Sequence, residues 1–149
     1  MIMKNMPHIT VATIVERDNR FLMVEEMSDG NIVYNQPAGH LEENETLIQA
    51  AVRETFEETG WEVGIRHFLG VYQYTSSANG VYYIRHCFIA EPLHHHEDRA
   101  LDQDIVKIEW LSLLQLHQLR NKMRSPLVMS AIEDYRKGIR YPLALITES

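Results

Sequence analysis

Residues 39–61 read GHLEENETLIQAAVRETFEETGW, and this stretch organises the rest of the chain around it. A helix turns about 100° per residue, so Glu54 and Glu58 lie nearly above one another and Glu57 lies one step around the same face. Carboxylates at this spacing repel each other and destabilise a helix. A hard divalent cation would neutralise them, and oxygen ligands with room left for substrate phosphates are typical of Mg²⁺ sites. The pattern therefore predicts a Mg²⁺ site on one helix face.

A longer pattern surrounds these carboxylates. A Glu-rich helix face is most often simply solvated, and three carboxylates alone do not exclude that interpretation. The full spacing, Gly-x5-Glu-x7-Arg-Glu-x-x-Glu-Glu-x-Gly, is very unlikely to arise by chance. It resembles the signature of the Nudix hydrolases, which cleave nucleoside diphosphates linked to another moiety. The matching residues are Gly39, Glu45, Arg53, Glu54, Glu57, Glu58 and Gly60.

The departures from the signature are small. Thr55 stands where the family usually has an aliphatic residue, and Ala38 precedes the first glycine where a second glycine is common. Trp61 is a large member of the hydrophobic class expected at the end of the motif. None of these substitutions removes a carboxylate.

The resemblance implies a set of catalytic and metal-binding residues. Diphosphate hydrolysis needs a metal to offset charge on the phosphoryl oxygens, an activated water and a positioned leaving group. The metal is expected to be Mg²⁺, with Mn²⁺ as a substitute, and the number of ions and the general base stay open, with Glu58 as one candidate base. The expected metal ligands are Glu54, Glu57, Glu58 and the backbone carbonyl of Gly39, and the expected catalytic residues are Arg53, Glu54, Glu57 and Glu58.

Arg53 is expected to orient a ligand. It lies four residues before Glu57, so it can pair with Glu57 or with Glu45 and hold a glutamate in a ligating rotamer. An ordinary exposed i,i+4 ion pair is the alternative, and the complete signature makes it less attractive. Glu45 is expected to be structural.

An acid from outside the helix is a further candidate. The segment 94–106, HHHEDRALDQDIV, contains Asp102 and Asp104, and either could approach the metal. A solvated acidic loop is an equally good interpretation of each. The histidine run 94–96 could bind a transition metal, but a polar loop is favoured.

Composition narrows the class of protein. The chain has 149 residues, 45% of them hydrophobic, which predicts one globular domain spanning 1–149. The formal net charge of −7 argues against a nucleic-acid partner but not against a small phosphorylated substrate, because a bound metal reverses the local sign. The single cysteine, Cys87, excludes an internal disulfide framework, suits a reducing cytosol and is expected to be buried in an apolar strand.

The chain shows no secretory or membrane signal. Its first residues lack an apolar core followed by a small-residue cleavage site. No apolar run approaches the ~20 residues that cross a bilayer. We therefore expect a cytoplasmic protein without a membrane partner, either a monomer or a small homo-oligomer.

The alternation of apolar residues predicts a mixed α/β fold. Strands come first, then one motif helix, then more strands and finally two helices, which favours a mixed sheet covered by helices. The resemblance sharpens this to an α/β/α sandwich in which the motif forms a loop–helix–loop. The predicted strands are 9–15, 21–24, 32–35, 66–74, 81–89 and 106–111, with a hairpin at Asn79-Gly80, and the predicted helices are 45–58, 113–119 (capped by Ser112) and 126–137 (capped by Ser125).

Segments outside the motif resemble a phosphatase-type group of bacterial Nudix proteins. They are PHITVA (7–12), NQPAGHLE (35–42), RSPLV (124–128) and RYPL (140–143). This resemblance implies hydrolysis of nucleoside di- and triphosphates and of the thiamin precursor 4-amino-2-methyl-5-hydroxymethylpyrimidine pyrophosphate, with release of orthophosphate. The alternatives are a Nudix enzyme for another diphosphate, such as ADP-ribose or a dinucleoside polyphosphate, and a non-catalytic Nudix-fold nucleotide-binding module. The intact carboxylate set argues against the second alternative.

Several aromatic and basic residues are candidates for substrate recognition. Stacking on a base needs an exposed ring, and most aromatic residues of a sheet belong to its core. The stacking candidates are Tyr34, Trp61, Tyr72, Tyr74, Tyr82 and Tyr83, the phosphate-binding candidates are Arg85 and Arg124, and His8 and His86 are expected to be structural.

Overall fold

The computed structural model describes residues 5–149. These residues form seven strands and three α-helices, in the order of four strands, one helix, three strands and two helices. The strands are β1 (His8–Arg17), β2 (Arg20–Ser28), β3 (Asn31–Asn35), β4 (Ala38–His40), β5 (Trp61–Thr75), β6 (Tyr82–His95) and β7 (Ile105–Ser112). The helices are α1 (Leu47–Thr59), α2 (Leu113–Gln118) and α3 (Pro126–Arg136), with short 3₁₀ turns at Arg120–Lys122 and Leu143–Leu145.

The strands form one mixed sheet. Its main path runs β3-β2-β1-β6-β5, with β4 paired to β1 and β7 paired to β2. The β1–β6 pair is parallel, and the other pairs are antiparallel. The mixed sheet predicted from the sequence is therefore confirmed.

The helices cover both faces of this sheet. Successive residues of a strand point to opposite faces. On β1, Val11 packs in a cluster with Ala50 and Ala51 of α1, whereas Ala12 packs in a cluster with Val128 and Ile132 of α3. The two helices therefore lie on opposite faces, which confirms the α/β/α sandwich.

The motif helix begins later than predicted. Its N-cap is Thr46, whose side chain accepts from the Gln49 N–H while the Gln49 side chain accepts from the Thr46 N–H, so the predicted start at residue 45 is wrong. This capping box satisfies two free N–H groups of the first turn. Gly60 ends the helix as predicted, with a φ of 75° and its N–H bonded to the carbonyl of Phe56.

Leu47 and Ile48 of α1 are partly buried against the core cluster that contains Ala50 and Ala51. The fully buried face of this helix is narrow and is built from small and polar residues. Its buried members are Ala50, Ala51, Thr55, Glu58 and Thr59.

Three segments are more regular than predicted. Residues 38–40, predicted as irregular loop, form β4 opposite residues 10–12 of β1. β5 starts at Trp61, directly after the helix stop, instead of at residue 66. β6 continues to His95, so the predicted polar loop at 94–96 is wrong for its first two histidines. The His95 ring stacks on Trp61 with centroids 4.7 Å apart, which explains why a polar residue extends the strand.

The remaining predictions concern the hairpin, the cysteine and membrane spans. The Asn79-Gly80 hairpin is confirmed, with a φ of 73° at Gly80 and a bond from the Ser76 N–H to the Val81 carbonyl. Cys87 is fully buried, as predicted, and burial raises the pKa of its thiol to about 11. Within residues 5–149, no helix has the length and apolarity needed to cross a membrane.

Candidate metal centre and active site

A contact between two threonine hydroxyls, those of Thr13 and Thr55, joins the motif helix to the sheet. The Thr55 hydroxyl lies 2.8 Å from the Thr13 hydroxyl of β1 and donates to the carbonyl of Ala51 at 2.8 Å. Thr59 in the same way donates to the carbonyl of Thr55 at 2.6 Å. The threonine that departs from the family pattern therefore makes a buried polar contact where an aliphatic residue would make an apolar one.

Three carboxylates meet beside this helix. Glu54, Glu58 and Asp102 each place an oxygen within 4.8 Å of the others. Asp102 comes from the loop between β6 and β7, so of the two aspartates considered from sequence it is the one that reaches the helix. Asp104 follows two residues later, where its backbone carbonyl accepts from the N–H of Met27 on β2.

The three carboxylates are held close together at a cost in electrostatic energy. Burial, and then the charges of Glu26, Glu54 and Asp102, raise the pKa of Glu58 to about 9, although the Ala38 N–H opposes this shift. Burial also raises the pKa of Glu54, and burial and the Glu57 charge raise that of Asp102. An all-oxygen donor set that resists ionisation fits a hard divalent cation, because the cation supplies the missing positive charge.

Strand β4 packs directly against the carboxylates of Glu54 and Glu58. A Cβ atom added at Gly39 would lie 2.1 Å from the carboxyl carbon of Glu54, so a larger residue there would displace this carboxylate from its position. The neighbouring Ala38 N–H donates to Oε1 of Glu58 at 2.9 Å. The first glycine of the signature therefore permits the close approach of a side chain. The role of its carbonyl as a metal ligand stays a prediction.

Arg53 binds several acidic residues of the motif at once. Its Nε and Nη2 donate to the two carboxylate oxygens of Glu45 at 2.6 and 2.9 Å. Its Nη1 donates to Glu54 at 2.7 Å and to Glu57 at 2.9 Å, and Nη2 also reaches the carbonyl of His40. The predicted pairing with Glu45 and Glu57 is present, and this contact lowers the pKa of Glu45.

Glu57 occupies a different position from the other two motif glutamates. Its carboxylate bonds to Arg53, and it is not one of the three carboxylates that converge. Its expected role as a metal ligand stays a prediction.

An ion pair that the sequence did not suggest flanks the carboxylate cluster. Glu26 of β2 has a side chain only 7% exposed and is paired with Arg124. The backbone N–H of Arg124 donates to the carbonyl of Tyr34 at 2.8 Å. Glu26 was missed because the predicted strand ended at residue 24, whereas β2 continues to Ser28.

Arg85 supports the turn between β3 and β4. It is buried, and its Nη2 donates to the side-chain oxygens of Asn35 at 2.9 Å and Gln36 at 3.0 Å. Gln36 in turn donates to the carbonyl of Val128 on α3 at 2.8 Å. Among residues 5–149, Nε of Arg85 has no hydrogen-bond partner. The suggested phosphate contacts of Arg85 and Arg124 stay predictions.

The six aromatic residues considered for stacking on a substrate base make different contacts in the structure. Trp61 is buried, and the hydroxyls of Tyr34 and Tyr72 donate to Glu25 at 2.7 Å and Asp134 at 2.6 Å. Tyr82 accepts from Gln73, and the Tyr83 ring lies edge-on to His8, which itself bonds to His40. His86 lies 3.2 Å from the carbonyl of Thr10, which fits the predicted structural role of this histidine. Tyr74 lines a cavity beside α3.

Comparison with known proteins agrees with this fold. The NUDIX domain model matches residues 6–130. Phosphatase NudJ of Escherichia coli (strain K12) is 41% identical over 140 residues, which are 94% of this chain and 90% of that protein. The solved NUDIX hydrolase from Nitrosomonas europaea superposes with a TM-score of 0.94 and 41% identity, covering 97% of this chain and 98% of the other.

A more distant structure shares the fold alone. A bifunctional NMN adenylyltransferase/ADP ribose pyrophosphatase from Francisella tularensis superposes with a TM-score of 0.72 at 22% identity, covering 93% of this chain and 43% of that one.

The chain belongs to the Nudix hydrolase family, whose members act on small phosphorylated substrates and generally use divalent metals. Within that family it is similar to phosphatase NudJ, and it is a Nudix hydrolase of the phosphatase or pyrophosphatase type.

Proposed function

We propose that this enzyme is a Mg²⁺-dependent hydrolase of phosphoanhydride bonds that releases orthophosphate. Its proposed substrates are nucleoside di- and triphosphates and 4-amino-2-methyl-5-hydroxymethylpyrimidine pyrophosphate. The observation that carries the proposal is the meeting of Glu54, Glu58 and Asp102 beside the motif helix of a Nudix fold. The single buried thiol, Cys87, suits work in a reducing cytoplasm.

Some residues of the motif would bind the metal, and others would position those ligands. Glu54, Glu57, Glu58 and the Gly39 carbonyl are the proposed Mg²⁺ ligands, and Asp102 adds a carboxylate from the opposite loop. Such a cation offsets charge on the phosphoryl oxygens and lowers the pKa of the attacking water.

Arg53 acts on these ligands through hydrogen bonds. Its contacts to Glu54 and Glu57 fix the rotamers of both carboxylates, while Glu45 holds the guanidinium in place with two bonds. Ala38 fixes the third carboxylate, that of Glu58, through its backbone N–H. The carboxylates are therefore oriented before substrate arrives, which reduces the reorganisation needed for reaction.

Two segments that resemble the phosphatase-type group lie together beside the site. The segment 35–42 contributes Gln36, which donates to the carbonyl of Val128 in the segment 124–128. Arg124 of the second segment donates its N–H to Tyr34, just before the first segment. Together with 41% identity to phosphatase NudJ over nearly the whole chain, this proximity supports a substrate range of that type.

A substrate panel tests the proposal directly. It should contain GDP, GTP, the pyrimidine pyrophosphate and ADP-ribose, with orthophosphate and pyrophosphate measured separately. Turnover of the first three with Mg²⁺ supports the proposal. Turnover of ADP-ribose alone would favour the other diphosphate substrates, and turnover of none would favour a binding module.

Magnesium is expected to raise the melting temperature. The cation binds the folded carboxylate cluster and not the unfolded chain, and it removes repulsion between Glu54, Glu58 and Asp102. Thermal unfolding in millimolar MgCl₂ at low ionic strength, compared with EDTA, measures the shift. A NaCl series at matched ionic strength is the control. An equal melting temperature in all three conditions would contradict coordination by these carboxylates.

GTP is expected to yield GDP and orthophosphate. A diphosphate monoester has one bridging P–O–P bond and gives orthophosphate wherever water attacks, so only a triphosphate distinguishes the two cleavage sites. Attack at the γ-phosphorus leaves GDP, whereas cleavage of the α–β bridge leaves GMP and pyrophosphate. Separation of nucleotides at early times measures the choice. Pyrophosphate and GMP without a GDP intermediate would contradict the phosphatase assignment and leave the Nudix family intact.

A further inference from the structure

A cavity of about 450 Å³ opens between β5 and the N-terminal half of α3. We call it the α3 cavity. Its walls combine apolar side chains with polar and charged ones, including the ion pair between Arg120 and Glu133. The lining residues that matter here are Tyr74, Met123, Arg124, Ser125, Met129 and Ser130.

The α3 cavity lies next to the carboxylate cluster. Arg124, at its rim, is paired with the buried Glu26 of β2, and the backbone N–H of Arg124 donates to the carbonyl of Tyr34. Met123 bridges to Tyr34 at the end of β3. From there the chain turns within a few residues to Ala38, whose N–H binds Glu58. The segment that walls the cavity is therefore connected, through Tyr34 and Ala38, to one of the carboxylates that would hold the diphosphate.

The walls of the α3 cavity suit a flat heteroaromatic ring. Tyr74 offers an aromatic ring, and Met123 and Met129 offer polarisable sulfurs that pack well against aromatic rings. The Ser130 hydroxyl already donates to the carbonyl of Pro126, so its oxygen can accept from a ring N–H. The Ser125 hydroxyl accepts from the Leu127 N–H and has no acceptor among residues 5–149, so it can donate.

A second hollow of about 680 Å³ does not meet these conditions. It is lined by Phe56 and by residues 94–100, which include three histidines, an arginine and two acidic residues. Phe56 is two residues from both Glu54 and Glu58 and therefore points about 200° away from them around the helix. The helix side chain that lines this hollow therefore faces away from Glu54 and Glu58, and the other walls come from residues 94–100.

We propose that the α3 cavity binds the heteroaromatic ring of the substrate, a nucleobase or a pyrimidine, while the carboxylate cluster holds the diphosphate. The inference rests on the proposed function, since it assigns the part of the substrate that the metal does not touch. Tyr74 and Met123 then determine specificity, and their contribution should appear with substrates that carry a ring and vanish with substrates that lack one.

A comparison of two substrates tests this assignment. Tyr74→Ala and Met123→Ala are each expected to lower kcat/KM for GDP about tenfold or more, mainly through KM, because a stacked base is worth roughly 1–3 kcal/mol. Both variants should stay within about twofold of wild type with methyl diphosphate, which has no ring. Tyr74→Phe, which keeps the ring, and Met27→Ala, an exposed methionine away from the cavity, are the matched controls. Equal losses with both substrates, or no loss with GDP, would overturn the proposal.

A binding measurement on the wild-type protein does not depend on turnover. With ¹³C-methyl methionine, AMP or CMP in the presence of Mg²⁺ should shift the Met123 and Met129 signals and leave Met27 unchanged. If neither nucleotide shifts Met123 or Met129 up to millimolar concentration, the proposal is overturned. If these signals shift but GDP and methyl diphosphate are both inert in the assay, the proposed function fails and the ring site stands.

Discussion

Glu58→Gln is expected to lower kcat/KM by about 100-fold or more at saturating Mg²⁺. Metal-assisted charge stabilisation is worth several kcal/mol in phosphoryl transfer, and about 1.4 kcal/mol corresponds to tenfold in rate. Glutamine keeps the shape of the side chain but removes the negative charge that would bind the cation. Orthophosphate release from GDP, with the variant compared at several Mg²⁺ concentrations, measures the loss.

The same variant should not weaken the metal-free fold. The pKa of Glu58 is about 9 in the folded protein and ordinarily 4.5. Between these values the folded protein keeps a proton that the unfolded chain releases, so the stability of the wild type falls as pH rises through this range. Glutamine cannot ionise, and its oxygen can still accept from the Ala38 N–H. In EDTA at pH 8 the variant is therefore expected to melt at or above the wild-type temperature, with a smaller difference at pH 5.

Two further variants complete this test. Glu57→Gln is expected to lose activity to a similar extent, although its carboxylate bonds to Arg53 in the structure. Glu43→Gln, an exposed glutamate just before the helix, is the matched control and should behave as wild type. Wild-type turnover in both Glu57→Gln and Glu58→Gln would remove these carboxylates from the proposed site.

Gly39→Ala is expected to be nearly as damaging, for a steric reason. The added Cβ would lie 2.1 Å from the carboxyl carbon of Glu54, so either the carboxylate or β4 must move. We expect activity to fall about 100-fold, because a misplaced catalytic group costs this much, and stability to fall by about 1–3 kcal/mol, the usual penalty for overpacking. Steady-state kinetics and denaturant unfolding measure the two effects.

Gly64→Ala is the matched control for this variant. Gly64 also lies in a strand, and its added Cβ would meet only the flexible end of the exposed Arg66 side chain. It should retain wild-type activity. Wild-type kinetics and an undiminished Mg²⁺-dependent rise in melting temperature in Gly39→Ala would contradict the inference that β4 positions the Glu54 carboxylate.

The features predicted correctly from the sequence depend on local spacing. The carboxylate face of the motif helix follows from the helical repeat, and the stop at Gly60 follows from the left-handed conformation that glycine adopts easily. The pairing of Arg53 with Glu57 follows from a four-residue separation. Each of these inferences concerns residues that are neighbours on one turn or one cap.

The features that the sequence did not reveal depend on contacts between distant segments. Asp102 and Asp104 are indistinguishable in a loop, and only the path of that loop decides which one reaches Glu58. Glu26 looks like an ordinary polar residue beyond a strand until its partner, Arg124, arrives from the other end of the chain. The extension of β6 through His95 depends on stacking against Trp61, which no local pattern encodes.

The direct passage from α1 into β5 has a consequence for how such an enzyme can diversify. Gly60 is the only residue between the helix and the strand, and its carbonyl accepts from the His96 N–H at 2.9 Å, so the helix has no hinge on which to swing. The carboxylates of Glu54 and Glu58 are therefore held on a rigid helix. The segment from His96 to β7, which carries Asp102, is irregular. Changes of length or composition there would move Asp102 relative to Glu54 and Glu58, so this segment can alter the geometry of the site while Gly60 still joins α1 directly to β5.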